Sequence, residues 1–297
     1  MDERIQEALS VLHSESTADL VHTHPKVAEV QIEDPNSWPL QFYREYVSKN
    51  LPVVANYTRK ERDCGLTPNG LADGLNVIDG EETFVLPEEK DMPMKYFLQL
   101  LKEKKENYIC YIQKQNSNLT EDFRELLEDI DAEVNWASKA FDKEPDAVNF
   151  WMGDSRAVTS MHKDPYENIY CVMEGHKDFI LIPPTDLPYI PYKNYPVKRY
   201  RNVSTSRFDV EEVPGGRISW IAVDPLNEKE SLDSYPQFEK AHVYSVRVGK
   251  GDMLYLPSLW FHHVRQSHEC VAVNYWYDME FDVKYCYYKM LENLCGR

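Results

Sequence analysis

Apolar residues change their period partway along the chain. Before residue 147 they recur with helical spacing. Ile5, Ala8, Leu9 and Leu12 fall on one face of a helix over residues 3–14. Pro35 and Pro39, followed by Phe42-Tyr43-Arg44-Glu45-Tyr46-Val47, predict a turn and a short helix over 35–50. Residues 51–55 read as a brief edge strand, because Pro52 has no N–H to give to a central ladder. Thr67-Pro68-Asn69-Gly70 is a turn signal. A helix follows Pro93, with Phe97, Leu98 and Leu101 inward and residues 102–106 closing it. Another starts at Thr120, with Glu121 and Asp122 in its first turn and Phe123, Leu126, Leu127 and Ile130 buried.

From residue 147 the pattern becomes that of short strands, at 147–152, 168–173, 179–182, 243–248, 253–256 and 270–277. Turns at Gly175, Pro183-Pro184 and Gly249-Lys250-Gly251 separate them. The insert 184–241, rich in proline, tyrosine and charge, shows no period and reads as loops. The fold class expected is mainly β with flanking helices, most economically a jelly-roll barrel. Residues 1–107 form a helical and strand extension, 108–280 the core, and 281–297 a terminal helix of the same domain. That helix carries an apolar stripe of Val283, Tyr287, Met290, Leu291 and Leu294. Two readings stay open for it: a homodimer contact, or packing onto its own domain.

Charge narrows the partners. The net charge of −17, from 33 basic and 50 acidic residues, opposes binding of nucleic-acid phosphates. No apolar run reaches membrane-spanning length, and Asp2, Glu3, Glu7, Glu15 and Asp19 are wrong for a leader peptide. Six cysteines without a C-x-x-C pair read as reduced thiols in a cytoplasmic or nuclear protein.

The candidate chemistry starts at His162-Lys163-Asp164. In extended chain, residues i and i+2 share a face, so His162 and Asp164 converge while Lys163 turns away. A second histidine, His262, follows in a later segment where Trp260, His262 and Val264 share one face and Phe261 and His263 the other. Two imidazoles and one carboxylate suit non-haem Fe(II), because they leave adjacent positions open for a bidentate co-substrate and O2. An H-x-D tripeptide is weak evidence by itself, and histidines on an aromatic strand are often only packed. Lys177 stands in phase with Phe179 and Leu181, which points it inward towards an anion; the alternative is a solvated turn lysine after Gly175. Asn274 and Trp276 share a strand face, and Trp276, Asn149 and Trp151 are candidates for the substrate pocket. No side chain is expected to act as a catalytic acid or base.

Pro257, Trp260, His262 and Val264 form a P-x-x-W-x-H-x-V motif that resembles the distal-histidine motif of the Jumonji-C oxygenases, and it selects His262 over His263. The resemblance is close over residues 108–115, 146–153, 161–171, 254–264 and 272–280, and extends from about residue 36 to the end. It implies a double-stranded β-helix (cupin) barrel that uses Fe(II), 2-oxoglutarate and O2. It further implies that Lys177 holds the C5 carboxylate of 2-oxoglutarate, with Tyr111, Thr159, Asn168 and Asn274 beside it. The activity implied is lysyl C-3 hydroxylation of a protein substrate, a developmentally regulated GTP-binding protein. The chain departs from the family at residues 56–66, where relatives carry a longer stretch with a helix and another strand. Rival readings are an N-methyl-lysine demethylase, a zinc hydrolase and a catalytically silent cupin-like module. Against them stand the lack of Cys/His zinc modules, the lack of an H-E-x-x-H helix, and the joint presence of the three ligands with Lys177.

Overall fold

Inward and outward residues alternate along eight strands, and the alternation lets two sheets close face to face around one interior. The computed structural model describes residues 3–32, 34, 36–56, 65–115, 117–204 and 207–296. Numbered in chain order, the barrel strands are β1 (Ala147–Gly153), β2 (Val158–His162), β3 (Tyr166–Glu174), β4 (His176–Ile182), β5 (Tyr244–Gly249), β6 (Asp252–Leu256), β7 (Phe261–Gln266) and β8 (Cys270–Asp278). One sheet runs β6-β3-β8-β1 and the other β5-β4-β7-β2, antiparallel at every step. This is the expected jelly roll, a double-stranded β-helix with flanking helices.

The first sheet is widened on both sides. Val53–Asn56 pairs with β6 and, on its far side, runs parallel to Ala28–Val30. Beyond β1 come Ile109–Ile112 and then Gly65–Thr67. The segment read as an edge strand is therefore one strand in from the edge. Pro52 precedes its ladder, and the short Ala28–Val30 strand that covers it carries no periodic signal.

Three apolar clusters result. Inside the barrel, Tyr170, Val172, Phe179, Leu181, Leu254 and Ala272 meet from both sheets. Against the outer face of the wide sheet, Phe42 is fully buried among Trp38, Trp136, Phe141 and Tyr255, with ring centroids 4.9–5.9 Å away. Below the narrow sheet, Phe261, Ile182 and Met161 pack on Ile190, Ile221, Phe238 and Tyr288.

Several expectations are corrected. The insert is not loops: Tyr192–Ser204 and Arg207–Ile221 form a long antiparallel ribbon, preceded by the 3₁₀ turn Pro184–Tyr189 and followed by the helix Glu228–Ser234. Arg207–Ile221 alternates only in short stretches, at Phe208 and Val210 and again at Ile218 and Trp220, interrupted by an irregularity in the ladder, and Pro196 masks strand character in its partner. It runs parallel to Glu81–Leu86 of a hairpin whose other strand is Gly74–Ile78, and Phe84 packs on Trp220 at 4.7 Å. The helix expected from Thr120 begins at Asn118 and breaks at Asp122 into the 3₁₀ turn Arg124–Glu128; Ile130 is buried, but Leu127 is exposed. In the terminal helix Val283–Leu294 the predicted stripe splits. Tyr288 and Leu291 pack on the third cluster, while Val283, Tyr287 and Met290 face solvent at 63%, 64% and 53% exposure. The helix docks by the adjoining face of Tyr285, Tyr288 and Leu291, which shares only Leu291 with the stripe. The turn at Pro35, most of the short 56–66 segment, and Cys64 lie outside the described residues. No described helix is long and apolar enough to cross a membrane.

Replacing Phe42 with alanine should cost about 3–5 kcal/mol, because four rings close around it and cannot collapse into the space left. Urea unfolding should show a lower midpoint, with the barrel's far-UV signal retained below the transition.

Candidate metal centre

His162 ends β2 and His262 is the second residue of β7, and the two are direct partners in the ladder between these strands. Their rings lie 4.1 Å apart, centroid to centroid. Asp164 comes from the turn after β2, with one carboxylate oxygen 3.6 Å from each Nε2. The three donor atoms all lie within 4.8 Å of one another, a span one ion can bridge. Lys163, between the ligand candidates, turns away to Glu292 of the terminal helix at 3.2 Å.

The imidazoles are aimed by backbone. His162 Nδ1 lies 2.8 Å from the Ser160 carbonyl, and His262 Nδ1 lies 3.0 Å from the Trp260 carbonyl. A carbonyl only accepts, so each Nδ1 carries the proton and each Nε2 keeps a lone pair facing the other donors. That is how metal-ligating histidines are commonly held. The two turns that present them are tied together. Leu259 N–H donates to the Asp164 carbonyl at 2.9 Å, with Leu259 at φ +66°. A leucine in left-handed backbone is uncommon and needs outside support. Glu167 supplies it, accepting from Ser258 N–H at 3.2 Å, Ser258 Oγ at 2.8 Å and Tyr255 Oη at 2.7 Å.

Electrostatics suit a cation. Burial acts to raise the Asp164 carboxyl, but His162, His262 and Lys163 outweigh it and hold it down at about 2. Burial, then the charge of His162, lowers His262 to about 4. For His162, burial is outweighed by Asp164, the Ser160 carbonyl and Asp73, and its value is raised. At neutral pH the carboxylate is ionised and His262 neutral, as ligation requires, while the raised His162 has to release its proton to a metal.

A pocket of about 230 Å³ opens onto this cluster. Thr159, Asn168, Asn274, Tyr111, Trp151 and Trp276 line it, as do the three metal-ligand candidates. Thr159 and His162, three apart, would face opposite ways on a regular strand. A bulge opposite His262 and Val264 adds a residue to β2 and turns both inward. Deeper in, Trp151 Nε1 donates to Asn274 at 2.7 Å, and Asn274 Nδ2 donates to Asn168 at 3.0 Å. Lys177 is 1% exposed and donates to the Tyr111 hydroxyl at 2.9 Å. Its ammonium lies 5.1, 5.4 and 6.0 Å from the rings of Tyr111, Tyr170 and Trp151. Among the described residues no carboxylate pairs with it. An ammonium held so deep by one hydroxyl and three ring faces fits the carboxylate of a ligand.

One expectation changes here, at Asn149, while His263 stands where its strand phase put it. Asn149 does not line the pocket; it lies farther along β1, where its side chain accepts the N–H of Ser117, itself at φ +65°. His263 faces away from the triad into a separate cavity with Met161 and Asp224. No local period points to Asp73, Gln113, Gln115 and Trp220, all of which line the pocket. Asp73 follows a two-residue strand, Trp220 sits on the ribbon, and the Trp220 ring lies parallel to that of His162 at 6.4 Å.

The cupin-like domain family matches residues 53–283. A human protein named bifunctional peptidase and (3S)-lysyl hydroxylase JMJD7 is 40% identical over 278 residues, 86% of this chain and 86% of its own length. JmjC domain-containing protein E of Dictyostelium discoideum is 36% identical, covering 88% and 87%. Lysine-specific demethylase JMJ32 of Arabidopsis thaliana is 35% identical, covering 88% and 85%.

Because no described carboxylate pairs with the buried Lys177 ammonium, Lys177→Met should raise thermal stability. Apolar replacement of buried ions in other proteins has gained about 1–4 kcal/mol. A melting temperature equal to or below that of the parent would show that the protein interior already compensates this charge.

Proposed function

The chain belongs to the Jumonji-C branch of the cupin-like family of 2-oxoglutarate-dependent oxygenases, and from that premise we propose how its residues divide the work. It is an oxidoreductase acting as a protein lysyl hydroxylase. The observation that carries the reading is the conjunction of a two-histidine, one-carboxylate face with a buried, anion-seeking lysine in the same barrel.

His162, Asp164 and His262 hold Fe(II), which, when bound with 2-oxoglutarate and O2, supplies the oxidation of an unactivated C–H bond. Lys177 and Tyr111 bind the C5 carboxylate of 2-oxoglutarate. Thr159, Asn168 and Asn274 border that carboxylate, with Asn274 fixed by Trp151. Trp276 and Trp220 wall the open side and exclude water from it. No side chain has to move a proton as acid or base. The target is a lysyl side chain of a protein, a developmentally regulated GTP-binding protein in our reading, hydroxylated at C-3. A cytoplasmic and nuclear location accords with the absence of any disulfide among the described cysteines.

A second reading has one specific support, the name of the Arabidopsis relative, a lysine-specific demethylase. Incubation with methylated and unmethylated lysyl peptides separates the two. Formaldehyde release marks demethylation, and a mass gain of one oxygen on unmethylated lysine marks hydroxylation.

The exposed half of the terminal helix, Val283, Tyr287 and Met290 with Phe281 beside it, supports a two-fold homodimer contact.

Three outcomes are expected. Asp164→Ala and His262→Ala should lose Fe(II) binding and 2-oxoglutarate turnover while the far-UV signal persists; His263→Ala should retain both. The reverse pattern for the two histidines would reassign the ligand. Lys177→Ala should raise the KM for 2-oxoglutarate about ten- to a hundredfold, the range of a charge-assisted bond; an unchanged KM would remove its role. Tyr287→Arg should halve the mass in light scattering, and a parent chain that is monomeric at micromolar concentration would refute the dimer.

A further inference from the structure

The pocket holds one carboxylate more than the triad uses. Asp73 lines it together with His162, Asp164 and His262, yet stands outside the cluster of mutually close donor atoms. Its place is set by the backbone. Leu71–Ala72 runs parallel to β2, with Ala72 beside Thr159, so Asp73 emerges level with Ser160. Ser160 Oγ donates to the Asp73 carbonyl at 2.9 Å, and Asp73 sits at φ +50°, a conformation aspartate tolerates better than most residues. Gln113, also lining the pocket, donates to the carboxylate at 3.2 Å.

We propose that Asp73 is a subsite for an alkylammonium group, which it holds at the pocket mouth beside the indole of Trp220. The proposal rests on the lysyl-hydroxylase reading and names the group that selects the substrate. Three features support it. Among the described residues no lysine, arginine or histidine lies within ion-pair distance of this carboxylate, and its one hydrogen-bond donor there is a neutral amide. A carboxylate removed from water with so little compensation favours a cation that arrives with the ligand. Burial first, and Glu89 after it, raise the Asp73 carboxyl to about 6 despite the opposing pull of His162, Arg199 and Gln113, which reflects that shortfall. Finally, Trp220 lines the same pocket, and aromatic faces pack an aliphatic stem and attract its ammonium head. The pocket thus carries opposite charges with separate tasks. Lys177 takes the anionic co-substrate at depth, and Asp73 takes the cationic substrate nearer the opening.

The test uses the full chain, loaded with Fe(II) and 2-oxoglutarate without O2, and follows tryptophan fluorescence during titration with n-pentylammonium or n-pentanol. The parent should prefer the ammonium at least about tenfold, the effect of one charge-assisted bond. Asp73→Asn should bind the two probes alike, with iron content and 2-oxoglutarate affinity equal to the parent, and Asp73→Glu should restore the preference. A parent that does not distinguish the probes, or an Asp73→Asn protein that keeps the preference, overturns the proposal. Should Asp73→Asn fail to fold, the parent's own preference and the Asp73→Glu variant decide: no preference in either overturns it. Hydroxylation is read separately by mass spectrometry on a lysyl target. If no lysyl product forms while the ammonium preference holds, the lysyl reading fails but the cation subsite stands.

Discussion

Ionisable side chains that the barrel turns away from water are the constraint on which the structure depends. His162, Asp164, His262 and Lys177 all point into a space otherwise filled by Tyr170, Phe179, Leu181 and Trp151. Such groups are tolerated only where geometry supplies partners. Each histidine therefore leans on the backbone carbonyl two residues before it, Asn274 bridges Trp151 to Asn168, and Tyr111 reaches Lys177. These partners sit on neighbouring strands, so the register must hold to the residue. A slip of one position would turn the ligands outward.

The outer layers protect that register. The aromatic cluster around Phe42 clamps helices onto the far face of the wide sheet, through Tyr255 on β6 and Phe141, which packs on Tyr277 of β8 at 4.7 Å. Glu167 fixes the Ser258-Leu259 turn from β3, just outside the site. The terminal helix adds a third support: Glu292 holds Lys163, and the Lys163 ammonium lies 5.2 Å from the Tyr288 ring. The residue between two ligand candidates is thus anchored from outside, which helps keep its neighbours aimed inward. A second His-Asp-His group, His13, Asp186 and His242, ties the first helix to the insert. There His242 Nδ1 and Nε2 are already engaged by Asp186 and Thr17, so its role is structural linkage.

What the sequence determined by itself is the part written in local period and composition. Short apolar runs bounded by turn signals marked the barrel strands at 147–152, 168–173 and 270–277, and i, i+2 phase paired His162 with Asp164 and set His262 apart from His263. The inward phase of Lys177 was legible in the same way, but only the family resemblance chose it over a solvated turn lysine. The family resemblance added Thr159, which period alone would have placed on the wrong face, because a bulge is invisible to a fixed count of two. Tertiary structure decided the rest. The ribbon strands Tyr192–Ser204 and Arg207–Ile221 hide because an irregularity in their ladder and Pro196 break the alternation into stretches too short to read. The terminal stripe split between core and solvent because only the docked helix defines which arc is covered. Asp73 and Trp220 became neighbours of the metal-ligand candidates through strand pairings and packing between segments far apart in the chain, and no local pattern encodes such contacts.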